Sequence, residues 1–139
     1  MIERQIQAAV IESFGSVCRI PVEMEVAYDP ETSPYSVSVV FSQGHDDLHP
    51  VHWELSRELL MRGSTSTELF GEGDAQVRFD GHEVNRVVLV LNSVEGKAAI
   101  ACNADQLKSF LGATTDLVAV GEEDVTGLVD ELIEEILNS

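Results

Sequence analysis

Apolar and polar side chains alternate through most of the first hundred residues. In Ile20 to Tyr28, IPVEMEVAY, one face takes Ile20, Val22, Met24, Val26 and Tyr28 and the other takes Glu23 and Glu25, the period-two signature of a half-buried strand. Asp29-Pro30-Glu31-Thr32-Ser33-Pro34 is turn chemistry, because two prolines fix their own backbone and withdraw donors from any ladder. Tyr35 to Phe41, YSVSVVF, resumes the alternation, so the two runs predict a hairpin. Ahead of them, Ile6 to Ser13 mixes helix-favouring Ala8 and Ala9 with strand-favouring Val10 and Ile11, and a strand is expected. The second half repeats the pattern in Gln76 to Phe79, Asn85 to Asn92 and Lys97 to Cys102, with turns at Gly81 and at Val94-Glu95-Gly96. These strands read as an antiparallel meander.

Each half closes on a short helix. After a strand at Val51 to Leu55 comes SRELLMRG, with Ser56 as the N-cap and Gly63 as the stop. After Cys102 comes NADQLKSFLG, where Asn103 and Gln106 have the spacing of a capping box and Gly112 is the expected stop. Between the halves, Gly63 to Gly73 is a polar, glycine-rich linker apart from Leu69 and Phe70, and mobility is expected there. From Glu122 to Leu137 the period changes to that of a helix. Val125, Leu128, Val129, Leu132, Ile133, Ile136 and Leu137 form one apolar face, and seven acids fill the rest. Lys108 is the last cation in the chain, so this terminal helix has none of its own and acids sit even at its last turn, against the macrodipole. Packing, most simply on its own domain, is expected to hold it. The elements together predict one α+β domain over residues 1–139.

Composition narrows the function. The chain has 139 residues, 44% of them hydrophobic, enough for a core that needs no disulfide or metal. Eight Lys and Arg against 25 Asp and Glu give a net charge of −17. Such a surface repels phosphate backbones and anionic lipid, which speaks against nucleic acid as a partner. The polar start, MIERQIQ, does not read as an export signal, and the longest strongly aliphatic run, Val87 to Leu91, is far short of a membrane span, so a cytoplasmic protein is expected. Cys18 and Cys102 are the only cysteines and are expected to be free thiols, with Cys102 a small buried side chain.

Candidate chemistry is thin. Gly44 to Leu60, GHDDLHPVHWELSRELL, holds three of the four histidines, and His45, His49 and His52 are the natural candidates for a metal site. Zinc asks for three or four ligands converging at about 2 Å, usually from a helix pair or a short turn. A spacing of three and then two residues across a turn and a strand start fits that poorly, and a solvated hairpin loop is the favoured reading. No nucleophile motif, phosphate-binding glycine loop or Cys-x-x-Cys occurs. Gly71-Glu72-Gly73-Asp74 lacks the third glycine and the cation that phosphate contact would want. Neither a catalytic residue nor a cofactor is therefore expected. Leu69-Phe70 and the terminal helix are the apolar strips available to a partner, and nothing in the pattern ranks them.

One ordered set of residues resembles a known family. Trp53, Arg57, Leu59, Leu60, Gly63, Gly71, Gly73, Asp74, Ser93, Gly96, Phe110, Leu111 and Thr114, with Tyr28, Asp29 and Tyr35 around the first turn, follow the pattern of the SsgA-like proteins of sporulating actinomycetes, nearest to their SsgB type. The similarity runs from about Val22 to the carboxyl terminus. Glu58 stands where Asp is usual and Val94 where Pro is. The resemblance implies a non-enzymatic, septum-associated factor of sporulation cell division, which helps position the tubulin-like ring protein FtsZ. It also implies a Whirly-like fold of two antiparallel sheets, each followed by helix, a homotrimer, and partners among division proteins, including an SsgA-like paralogue. A Whirly-like single-stranded nucleic-acid module is the alternative, which the charge opposes. Trp53, Gly63 and Arg57 are expected in structural roles, as core, helix stop and ion pair with an acid.

Overall fold

The computed structural model describes residues 1–44, 47–81, 85–94 and 96–119. Its elements are β1 (Ile2–Ser13), β2 (Ser16–Tyr28), β3 (Ser36–Ser42), β4 (Val51–Ser56), α1 (Arg57–Gly63), β5 (Ala75–Asp80), β6 (Arg86–Ser93), β7 (Gly96–Asn103) and α2 (Ala104–Leu117). The terminal helix expected at Glu122 to Leu137 lies outside the described residues, as does His45. Every strand anticipated from the alternation is present, although β1 starts and β2 starts four residues earlier than the pattern predicts.

The expectation of two sheets is overturned. All strands join one curled antiparallel sheet in the order β4-β3-β2-β1-β7-β6-β5. The joint is β1, a strand shared by both halves. It pairs β2 from Ile2↔Tyr28 to Ser13↔Ser16, and on its other side pairs β7 only from Ala8↔Cys102 to Ser13↔Ala98. A bulge between Val10 and Glu12 shifts the register against both neighbours, and bulges of this kind add bend and twist. Before Ala8 the β7 side of β1 is taken up by α2. Gln7 donates its N–H to the Gln106 side-chain oxygen at 2.7 Å, while Asn103 accepts from the Gln106 N–H at 2.9 Å. Half of the predicted capping box is thus kept, and the other half is spent satisfying the strand edge.

The curl gathers one face of every strand around a single core. Met24, Val26, Val37, Val39, Leu89 and Ile100 from the sheet meet Leu60 of α1 and Leu107, Phe110 and Leu111 of α2. The linker is ordered by the sheet edge. Phe70 exchanges backbone hydrogen bonds with Val77 of β5, at 2.8 and 2.9 Å, and Phe79 donates its N–H to the Ser66 carbonyl. Paired in this way, β5 is not left as a bare edge.

The two glycine stops are revised. Gly63 closes α1 without a left-handed backbone; it is glycine because an added Cβ would lie 2.4 Å from the Val77 Cβ. Gly112 stops nothing, since α2 continues to Leu117 and a Cβ there would meet open space.

Candidate functional site

At one end of the curled sheet the helices seal the core, and their junction is built around Arg57. Ser56 caps α1 by accepting the Leu59 N–H at 3.1 Å, which places Arg57 as the first helical residue, facing inward. Its side chain is 1% exposed and donates Nη1 to the carbonyls of Thr114 at 3.1 Å and Val118 at 2.7 Å. The first belongs to the last turn of α2 and the second to the residue that caps it, at the helix end where the dipole favours a cation. The guanidinium carbon lies 5.0 Å from the Tyr28 ring centroid, and the Tyr28 hydroxyl donates to the Pro34 carbonyl at 2.9 Å. The Arg57 N–H donates to the Tyr35 carbonyl at 2.8 Å, so the turn after β2, the start of α1 and the end of α2 share one anchor. Two carbonyls and a ring are thus among the partners of the Arg57 guanidinium.

Away from that junction, a cavity of about 460 Å3 is walled by Val10, Val22, Phe41, Val51, Trp53, Leu91 and Ile100, and neither α1 nor α2 contributes to its described lining. Three hairpin turns rim it, and each carries an exposed apolar residue: Phe14, Leu48 and Val94. Phe14 is distinctive because it is 77% exposed and is the only non-glycine with positive φ among the described residues, at 51°. With Gly15 at 80° it forms a two-residue turn closed by the Ser13↔Ser16 pair, a geometry that favours Asn-Gly. The ring rests against Gly96, where a Cβ would come within 2.4 Å of it, and the Phe14 N–H donates to the Lys97 carbonyl at 3.1 Å. A bulky aromatic held exposed in a conformation it disfavours marks this rim as a functional candidate.

The two described histidines of the candidate set, His49 and His52, lie apart. His49 lines the mouth and gives its N–H to Asp47 Oδ1 at 2.8 Å. That bond and a second from the Gln43 N–H hold the Asp47 carboxyl below the usual carboxylate range. His52 points from the other face of β4, with Nε2 2.8 Å from Ser38 Oγ and 3.1 Å from Glu54 Oε1. Among the described residues no group of three or more His, Cys, Asp or Glu could hold a metal ion. Cys18 and Cys102 are both free, and burial pushes the Cys102 thiol up to about 12, against a smaller opposing effect of the Val87 backbone. Glu58 pairs with Arg62 along α1 at 3.0 Å on the surface. No described helix is long and apolar enough to cross a membrane.

Sequence reasoning missed the mouth altogether. The one signal available was Phe14-Gly15, an aromatic where a tight turn wants Asn or Asp.

The chain belongs to the SsgA family: the family, described as Streptomyces sporulation and cell division protein, matches over residues 22–123. Among individual relatives, the chain is similar to the sporulation-specific cell division protein SsgB of Saccharopolyspora erythraea, with 32% identity over 118 residues, covering 85% of this chain and 80% of that protein. It is 34% identical to SsgB of Thermobifida fusca over 76% of this chain and 75% of the relative. A solved SsgB structure, described by mutations that correlate to longitudinal cell division during sporulation of Streptomyces coelicolor, superimposes with a TM-score of 0.75 at 30% identity, covering 88% of this chain and 91% of that one. The SsgA-like sporulation-specific cell division protein of Thermobifida fusca gives 0.78 at 27% identity over 96% and 93% of the two chains.

Proposed function

We propose that this chain is a non-catalytic factor of sporulation septation, cytoplasmic and recruited to division septa, which docks onto the FtsZ ring and helps to position it. The relatives are named for sporulation-specific cell division, which supports the process. The observation that carries the docking step is the apolar cavity lined by Phe14, with exposed Leu48 and Val94 next in sequence to lining residues Asp47, His49 and Ser93. A cavity walled by core-face side chains, beside exposed apolar residues, suits a protein anchor, because interface energy concentrates in a few apolar and aromatic side chains that fill such pockets. A net charge of −17 disfavours an anionic membrane or nucleic acid as the occupant and leaves an apolar anchor on FtsZ as the one we assign. With this reading go a homotrimer of Whirly-like protomers, residues 1–139 acting as one unit, and association with an SsgA-like paralogue; light scattering and co-purification address these.

Phe14→Asn separates docking from folding. Asn adopts the left-handed turn more readily than Phe, so thermal stability is expected to hold or rise. Retention of purified FtsZ on the immobilised chain is expected to fall at least about tenfold, the order of loss for one central aromatic anchor. Equal retention by the Phe14→Asn chain refutes docking through the mouth, and no retention by the unaltered chain refutes FtsZ as the partner.

A further inference from the structure

Two opposite charges face the apolar cavity from two walls. Its described lining comes from β3, β4 and their connection on one side of β1 and from β6 and β7 on the other, and the curl of the sheet brings these around one space. Asp47 is the one carboxylate and Lys97 the one ammonium among the described lining residues. Asp47 is fixed in place, because its Oδ1 accepts the His49 N–H at 2.8 Å and its Oδ2 the Gln43 N–H at 3.0 Å. Those bonds, His49 first, hold the carboxyl below the usual carboxylate range, so it is charged at neutral pH. Lys97 gives its backbone carbonyl to the Phe14 N–H, which ties its place on the wall to that of the exposed ring. Among the described residues its ammonium has no partner, and Asp47 pairs with no Lys or Arg.

We propose that the cavity takes a segment of FtsZ whose apolar anchor is flanked by a basic residue on the Asp47 side and an acidic residue on the Lys97 side, so that these two charges select the segment and fix which way round it lies. The inference rests on docking at this cavity, as proposed above, and adds what the docked segment must carry. In an apolar site a few placed polar groups set the orientation of what binds. An anchor entering the cavity brings its chain neighbours against the walls, where they strip water from Asp47 and Lys97. A charge that loses water without gaining a counter-charge weakens binding, and Asp47, tied to two backbone donors, cannot swing away. A wholly apolar segment meets that penalty at both walls, and a segment laid in the reverse direction adds like-charge contacts to it. Lys97 has a flexible stem and can turn back to water, so the smaller share of the selection falls to it. Net charge acting alone has a different signature: on a chain of −17, removing an acid and removing a base shift association in opposite senses.

Asp47→Asn and Lys97→Met in the full chain, read by retention of purified FtsZ on the immobilised protein over a range of salt, test it. Asn still accepts a backbone N–H and Met keeps an apolar stem, so each variant loses a charge and little else. Both are expected to weaken retention at low salt, Asp47→Asn by about fourfold and Lys97→Met by about twofold, and both should show a shallower salt dependence than the parent. Losses of the same sign from charges of opposite sign are what local pairing requires. A gain from one variant and a loss from the other means that net charge alone acts, and it overturns the inference. A loss as large in high salt as in low is structural and overturns it too. Unchanged retention in either variant, while Phe14→Asn still lowers it, overturns the inference and leaves docking at the cavity standing. Retention untouched by Phe14→Asn, or absent from the unaltered chain, removes the docking reading and this inference with it.

Discussion

Replacing Arg57 tests whether the two helices are locked by one buried cation. In Arg57→Met the stem volume is retained, and what goes is the fork that donates to Thr114 and Val118 and lies over Tyr28. Hydrogen bonds to a charged group contribute about 1.5–3 kcal/mol each, and a partly buried cation at a helix C-terminus contributes up to about 2 kcal/mol. Two effects reduce the loss. The Thr114 carbonyl keeps the Val118 N–H at 2.9 Å, and the Val118 carbonyl is only partly buried and rehydrates. Removing the guanidinium also recovers its desolvation penalty, several kcal/mol for a buried ion. The net expectation is a destabilisation of about 2–4 kcal/mol, non-additive by nature. Arg57→Lys keeps the charge without the planar fork and should lose about half as much. Urea unfolding followed by circular dichroism reads this as a lower midpoint at constant slope, about 1–2 M for a typical slope of about 2 kcal/mol per M. An Arg57→Met chain within about 0.5 kcal/mol of the parent, or more stable, would show that desolvation cancels the cap and that Arg57 does not hold the junction.

The remaining predictions concern glycines and thiols. Gly63→Ala forces a methyl against Val77 and should cost about 1–3 kcal/mol by overpacking, whereas Gly112→Ala, in open space on α2, should stabilise by about 0.5–1 kcal/mol; opposite shifts in melting temperature check the pair. Native protein at pH 8 should show only Cys18 reacting with an aromatic disulfide reagent, and Cys102, protonated with its thiol at about 12, should react only after unfolding in urea. The folded-state thiol is raised above the unfolded value of about 8.5, so its contribution is full below that pH and is lost as pH climbs toward 12. Unfolding midpoints should therefore fall more steeply between pH 9 and 11 than in Cys102→Ala, and parallel slopes would contradict the shift.

Which parts of this molecule the sequence announces follows from the range of the forces that specify them. Alternation is local, so Met24, Val26 and Tyr28 could be assigned a shared face from their spacing alone, and the register bears this out with Val26 opposite Val39 and Met24 opposite Phe41. Which strand lies beside which is non-local. The halves merge because β1 has one partner along its whole length and another along its second half only, and residues Glu3 to Gln5, polar and exposed, gave no hint that the strand already runs there. The end of α2 was misplaced because propensity counted Gly112 as a stop, while Thr114 and Thr115 return their hydroxyls to the Leu111 carbonyl and let the helix run on. Arg57 was legible as a structural residue, but its bonds to the helix-end carbonyls of Thr114 and Val118 were not, since no sequence pattern counts a helix-end carbonyl. The mouth was hidden for the same reason as the single sheet. Phe14, Leu48 and Val94 sit on turns more than thirty residues apart, and only the curl of the sheet brings those turns to one rim. Where function rests on the ends of a curled sheet, the residues that matter are those that break a local rule, as Phe14 does in a turn made for Asn.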